Sequence, residues 1–257
     1  MQRARGRLGN STEKAHKDER MGEHAAEKRD RAQAVMGRRA FLIGGAGAGL
    51  VLPLLRAAPA FAQPSGIPAS GKIAFRVVRR GAHIGESTVT FTQDGDNLTV
   101  RTEVHIQVKV GPVPVYRYTH ICTERWSGNR FMGLDSTTTS NVSREKVTAR
   151  RTPDGLRIEP SAGTPFTVSG DSLPQTHWNR FAYMGPMFNP QDGRPMKETL
   201  VSRSPDMVKL ADGTSVPATR WSVTGDGVMD DFYDAAGVWT GLHAKVQDGS
   251  YVEYLRL

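Results

Sequence analysis

Leu98-Thr99-Val100-Arg101-Thr102-Glu103-Val104-His105-Ile106-Gln107-Val108-Lys109-Val110 decides the fold class. Leu98, Val100, Thr102, Val104, Ile106, Val108 and Val110 fall on one side of a period-two pattern, and Arg101, Glu103, His105, Gln107 and Lys109 on the other. Successive side chains of an extended chain point to opposite faces, so this is a strand with one face in a core and the other toward water or a polar interior. Gly111-Pro112-Val113-Pro114 ends it, because proline offers no N–H to a ladder. Val115 to Trp126 then returns antiparallel, with Tyr116, Tyr118, His120 and Cys122 in alternation.

The same grammar extends outward in both directions. Arg80-Gly81, Asp94-Gly95, Ser127-Gly128, Asp154-Gly155, Asp212-Gly213, Asp226-Gly227, Ala236-Gly237 and Asp248-Gly249 separate short runs rich in Val, Thr, Tyr and Phe, the mark of antiparallel hairpins. Further strands are predicted at Ile73 to Arg79, Ser87 to Gln93, Phe131 to Thr139, Lys146 to Arg151, Leu156 to Glu159, Met207 to Leu210, Ala218 to Thr224, Met229 to Asp234, Val238 to Val246 and Tyr251 to Leu257. A sheet of that many strands curls toward a barrel or folds into two layers. The expected fold is all-β, a large curved antiparallel sheet or half-open barrel. Between Ser172 and Met187 the alternation fails, and Leu173-Pro174 followed by Gln175 to Met184 predicts a short helix, with Pro174 in its first turn, that plugs the curved sheet.

Ahead of this domain, residues 36–62 read as an export signal. Arg38-Arg39 precede an apolar pair, Phe41 and Leu42, in the manner of the twin-arginine consensus. The apolar run Phe41 to Leu55 is too short for a bilayer that needs about 20 residues, so no membrane span is expected after cleavage. Ala60-Phe61-Ala62 puts small residues where a signal peptidase cuts, before Gln63. The expected partners are therefore the twin-arginine translocase and signal peptidase, and the expected address is the periplasm. Residues 1–35 are dominated by charged side chains and alanine, and such a composition cannot offset chain entropy by burial. They are expected to be a disordered extension, either a long leader to the signal or residues ahead of a true start at Met21 or Met36. The β domain spans 63–257.

Charge and cysteine content narrow the function classes. Lys/Arg and Asp/Glu number 34 and 26 over the chain, net +8, and 12 and 6 of these precede Gln63, so 22 and 20 remain after it, net +2. That balance leaves no nucleic-acid footprint. One cysteine, Cys122, excludes an intramolecular disulfide and reads as a small buried hydrophobe. The histidines after the signal, His83, His105, His120, His177 and His243, lack metal-ligand spacing, so neither metal nor cofactor is expected.

Tyr116-Arg117-Tyr118-Thr119-His120, Trp126 and Gly133-Leu134-Asp135-Ser136-Thr137 carry a resemblance, continued in His177-Trp178-Asn179, Val223-Thr224-Gly225-Asp226, Phe232-Tyr233-Asp234 and Val238-Trp239-Thr240-Gly241-Leu242. In this order they resemble a family of exported bacterial proteins known as a domain of unknown function, over nearly all of the chain after the signal. The resemblance implies a fold similar to the half-wrapped β-barrels of lipoprotein carriers, and no activity. Two positions depart from the family pattern: Arg180, where proline is usual, and Asp231, where an apolar residue is usual.

Three functions follow as expectations. Tyr116, Tyr118, Trp126, Trp178, Tyr183 and Trp221 are the candidate lining of a pocket for a lipid-like or other hydrophobic ligand, with Met184, Met187 and Met196 as an adaptable border. A second possibility is an envelope assembly module that adds a partner's strand to a sheet edge. The third is a hydrolase using Asp230 or Asp231 with a histidine; one of these carboxylates must share a face with Met229 and Tyr233 or with Phe232, an arrangement that shifts pKa values.

Overall fold

The computed structural model describes residues 66–257. The charged extension 1–35 and the signal 36–62 lie outside the described residues. The chain first meanders through β1 (Lys72–Arg79), β2 (Ala82–Asp94), β3 (Asn97–Val110), β4 (Val113–Ser127), β5 (Arg130–Ser140), β6 (Arg144–Thr152), β7 (Gly155–Pro160) and β8 (Phe166–Val168). A plug segment follows, with three two-residue strands β9 (Leu173–Pro174), β10 (Met187–Phe188) and β11 (Pro195–Met196). The meander resumes in β12 (Thr199–Lys209), β13 (Ser215–Thr224), β14 (Met229–Tyr233), β15 (Trp239–Lys245) and β16 (Tyr251–Arg256).

The last strand lies beside the first, Phe75 opposite Arg256, which joins the two meanders into one sheet of 13 strands ordered β12-β13-β14-β15-β16-β1-β2-β3-β4-β5-β6-β7-β8. Every pairing in this sheet is antiparallel, and the edges β12 and β8 do not meet, so the barrel stays open. Curvature follows from packing. Strands β13 and β7 are ten places apart, roughly 50 Å in a flat sheet, yet Trp221 and Val223 share one buried cluster with Leu156 and Ile158. The sheet therefore wraps around its own inner face, as expected of a sheet with that many strands.

The plug is the connection between the two open edges, and it crosses that inner face. Trp178, Ala182, Tyr183, Met187 and Phe188 all belong to the central cluster. The helix expected over Gln175 to Met184 is a single 3-10 turn, Arg180–Met184, capped by the Asn179 side chain, which accepts from the Phe181 N–H. The preceding residues form no helix: the Gln175 N–H donates to the Phe188 carbonyl on β10, and the His177 carbonyl accepts from Tyr233 Oη on β14. Arg151 ties the start of the plug to the sheet by donating to the Phe131 and Gly170 carbonyls, and Ser136 Oγ donates to the Pro190 carbonyl at 2.5 Å.

Both departures from the family pattern have a structural setting. The Arg180 guanidinium lies over the rings of Phe181, Trp221 and Tyr233 and against Gly237. Gly237 has φ +79°, and a Cβ there would sit 2.1 Å from Arg180 Nη1. Asp231 is fully buried within the plug's contact with β14 and is held by three donors.

Strand β12 forms one open edge and begins eight residues earlier than the sequence pattern suggested. It carries Pro205, Arg203, Asp206 and Lys209, which blunt it against strand addition. The assembly reading draws no support from this edge.

Candidate functional site

Strand β4 builds the site. Its inward face reads Tyr118, His120, Cys122, Glu124 and Trp126, so the alternation that buries aromatic rings also carries a carboxyl and an imidazole inside. Glu124 is 2% exposed and is the anchor of the plug. Its carboxylate accepts from Trp126 Nε1 at 3.0 Å within the same strand and from Trp178 Nε1 at 3.1 Å on the plug. Burial pushes Glu124 up to about 7, against the pull of these indole donors and of Thr176. Trp178 and Trp126 meet edge-on, ring centroids 5.6 Å apart.

Beside Glu124, between the sheet and the plug, lies a cavity of about 100 Å³. Ser87, Val104, Tyr118, His120 and Tyr254 form much of its wall, and Gln175, His177, Trp178 and Gln191 close it from the plug side. Ser87 Oγ is buried against this cavity with no hydrogen-bond partner among the described residues. His120 bonds through Nδ1 to Thr138 Oγ1 at 2.8 Å, and burial lowers its pKa to about 4, so it is neutral at pH 7. Cys122 also lines the cavity; burial, reinforced by the charges of Glu124 and Asp135, pushes its thiol up and leaves it a poor nucleophile.

A second polar cluster backs the cavity through His177. Asp231 Oδ2 accepts from Tyr183 Oη at 2.5 Å and faces His177 Nδ1 at 3.0 Å, while Trp239 Nε1 donates to Oδ1 at 2.9 Å. The His177 ring stacks on Trp239 with centroids 5.0 Å apart and planes at 18°. Burial alone would lower the His177 pKa, but the charge and hydrogen bond of Asp231, aided by Glu198, raise it above the ordinary value. Glu198 is itself pushed up to about 7 by burial and by the Asp231 and Asp226 charges, against the pull of His177 and the Gly227 N–H. Its Oε2 is buried without a partner among the described residues. Tyr233 Oη donates to the His177 carbonyl at 2.8 Å and fixes the backbone that carries the ring.

The six aromatic candidates are divided by this geometry. Tyr118 and Trp178 line the cavity. Trp126 is buried behind it and orients Glu124, and Tyr183 is buried on Asp231. Trp221 packs on Tyr233 beneath Arg203, whose guanidinium carbon lies 4.1 Å from the ring centroid, and does not reach the cavity. Tyr116 is exposed at the far end of β4. Among the methionines, Met187 is buried, Met196 packs at the edge of the cluster, and Met184 is exposed.

Asp230 and Asp231 belong to opposite faces, Asp230 accepting from Ser222 Oγ at 2.5 Å. Neither lines the cavity; the group that does is His177. Among the described residues no three His, Cys, Asp or Glu side chains converge as metal ligands, and no helix is long and apolar enough to cross a membrane. Glu124 and Glu198 were not candidates in the sequence. Glu124 was visible there as the polar position between Cys122 and Trp126 on an apolar face, whereas Glu198 carries no such signal.

Residues 75–257 match a family described as a domain of unknown function, DUF6134. No curated protein matches the chain. Among solved structures the chain is similar to a crystal structure of a beta-barrel-like protein of domain of unknown function DUF1849 from Brucella abortus, with a TM-score of 0.52 and 9% identity over 72% of this chain and 94% of that one. At that identity the likeness is one of fold.

Proposed function

Since the chain belongs to the DUF6134 family, whose description assigns no activity, function is argued from the site, and we propose that this is an exported periplasmic protein that binds a compact, partly apolar ligand between the curved sheet and its plug. The observation that carries the reading is the buried, partnerless Ser87 hydroxyl at a cavity shared by apolar and polar groups. A buried polar atom without a partner costs roughly 1–3 kcal/mol, and a bound molecule with one hydrogen-bonding group would remove that cost.

Size restricts the ligand. Pockets for larger organic ligands run to about 300–1,000 Å³, and this one is about 100 Å³. The lipid-like chain suggested by the aromatic residues does not fit while the plug is seated, because Trp178, Tyr183 and Phe188 occupy the inner face where it would lie. A compact molecule fits against Val89, Val104 and Trp178, with its polar group toward Ser87, Glu124 and His177.

Native mass spectrometry of protein released gently from the periplasm, beside the same protein after denaturation, tests the ligand. A discrete added mass that disappears on denaturation is expected, and a bare polypeptide mass in both samples overturns the reading. For the address, R38K/R39K should hold the precursor inside the cell, and the exported form should begin at Gln63; export unaffected by this change would remove the twin-arginine proposal.

A further inference from the structure

The hairpin of β3 and β4 outruns its neighbours. Strand β2 follows β3 as far as Ile106, opposite Gly85, and β5 follows β4 from Tyr118, opposite Ser140. Residues 107–117 therefore have ladder partners only in each other, from Gln107 opposite Arg117 to Val110 opposite Val113. They form a two-stranded arm at one end of the sheet, steadied at its base by Asn141, which accepts from the Arg117 N–H and donates to the Val115 carbonyl.

The arm ends in apolar side chains that no other described residue covers. Val110 is 67% exposed and Val113 58%, Val115 and Tyr116 stand beside them, and Val142, on the adjoining β5–β6 turn, is 92% exposed. Val201, Val228 and Tyr251 are also exposed at this end of the sheet, which thus holds eight of the thirteen exposed large apolar side chains among the described residues. A concentration of this kind is a mark of an interaction surface, whereas scattered exposed residues are ordinary.

Charge identifies the partner. No acidic residue lies between Glu103 and Glu124 or between Asp135 and Glu145, while Lys109, Arg117 and Arg144 stand in those stretches. None of these three is in an ion pair among the described residues. A valine tip, a tyrosine at its shoulder and three basic side chains on the arm and its adjoining turn match the layered chemistry of an anionic bilayer, acyl boundary, interface and phosphate, while Asp226 and Asp248 at the same end are held in ion pairs with Arg194 and with Arg79 and Arg80.

We propose that this arm docks the protein on an anionic phospholipid bilayer, with Val110, Val113, Val115 and Val142 at the acyl boundary and Lys109, Arg117 and Arg144 on the headgroup phosphates. The same two strands supply Thr102, Val104, Tyr118 and His120 to the cavity, so docking sets the cavity wall close to the membrane. The proposal stands whether or not the cavity carries a ligand.

The test is co-sedimentation with vesicles of phosphatidylcholine alone and of phosphatidylcholine mixed with phosphatidylglycerol. It uses protein beginning at Gln63, which holds all sixteen strands and both core clusters. Binding to the anionic vesicles is expected. V113D/V115D should weaken it by about tenfold or more, and K109Q/R117Q/R144Q by about a hundredfold, with unchanged thermal melting because these side chains are exposed. Tyr116→Trp should shift its emission to the blue on anionic vesicles. Failure to bind, equal binding to both vesicle types, or anionic binding that survives V113D/V115D would overturn the proposal. So would capture of an envelope protein through the same valines in the absence of vesicle binding.

Discussion

The indole of Trp178 donates to the carboxylate of Glu124 at 3.1 Å, and this bond joins the plug to the middle of the sheet at the edge of the cavity. It couples three properties that the site depends on: where the plug sits, how large the cavity is, and how readily Glu124 ionises. Replacing Trp178 with alanine removes a 1% exposed ring and the bond together, and should destabilise the protein by about 3–5 kcal/mol in chemical denaturation. Trp178→Phe keeps most of the packing and loses the donor, so the Glu124 pKa should rise above about 7, read by NMR titration of the carboxyl.

Stability should depend on pH through Glu124 in a direction opposite to that of an ordinary surface carboxylate. Its folded pKa, about 7, lies above the ordinary carboxyl value of 4.5, so between these values the native state binds more protons than the unfolded one and stability falls as pH rises. The advantage is present below about 4.5 and lost above about 7, and is on the order of 3 kcal/mol. His120, lowered to about 4, acts in the opposite sense between 4 and 6.5, so the comparison must be made against E124Q. The stability of the wild type relative to E124Q should decline across pH 4.5 to 7; a constant difference would contradict the assignment.

Asp231→Asn should remove the charge and hydrogen bond that favour protonation of His177. Breaking a buried pair by removing one partner costs about 3–5 kcal/mol. The His177 titration should move down, because the burial that opposes protonation remains while the carboxylate that offsets it is gone. Proton NMR of the imidazole reads this directly.

Gly237→Ala should destabilise by about 1–3 kcal/mol, since it places a side chain at φ +79° and against the Arg180 guanidinium. Adding R180A should recover part of the loss, the part due to the clash, and leave the backbone strain. Equal effects of G237A with and without Arg180 would show that the contact is immaterial.

Cys122 should react with a thiol reagent only on unfolding. It is 3% exposed with its pKa pushed up by burial, so labelling in native buffer should follow global opening, and rapid native labelling would contradict its placement.

The strands were legible because period two is a local property. Leu98, Val100 and Val104 are buried as their alternation demands. The same strand also shows where the pattern stops being informative: Val108 and Val110 continue it without interruption, yet they lie on an arm that has outrun the neighbouring strands, and no local signal records how long those neighbours are. The plug was legible as a break in alternation, but its backbone was not, since what replaced the helix is hydrogen bonding to distant residues, the Gln175 N–H to the Phe188 carbonyl, the His177 carbonyl to Tyr233 Oη and the Trp178 indole to Glu124. Asp231 stood out as a carboxylate on an apolar face; its partners Tyr183, His177 and Trp239 are 48, 54 and 8 residues away and could not be paired with it from spacing. Glu198 is held by the same long-range packing and left no trace in its own segment.

A crystal structure of the protein purified gently from the cells that make it would show what the cavity holds. Density for a compact non-water molecule, within hydrogen-bonding reach of Ser87 Oγ and against Trp178, is expected. A cavity holding ordered water alone, with Ser87 satisfied by it, would overturn the ligand-binding reading.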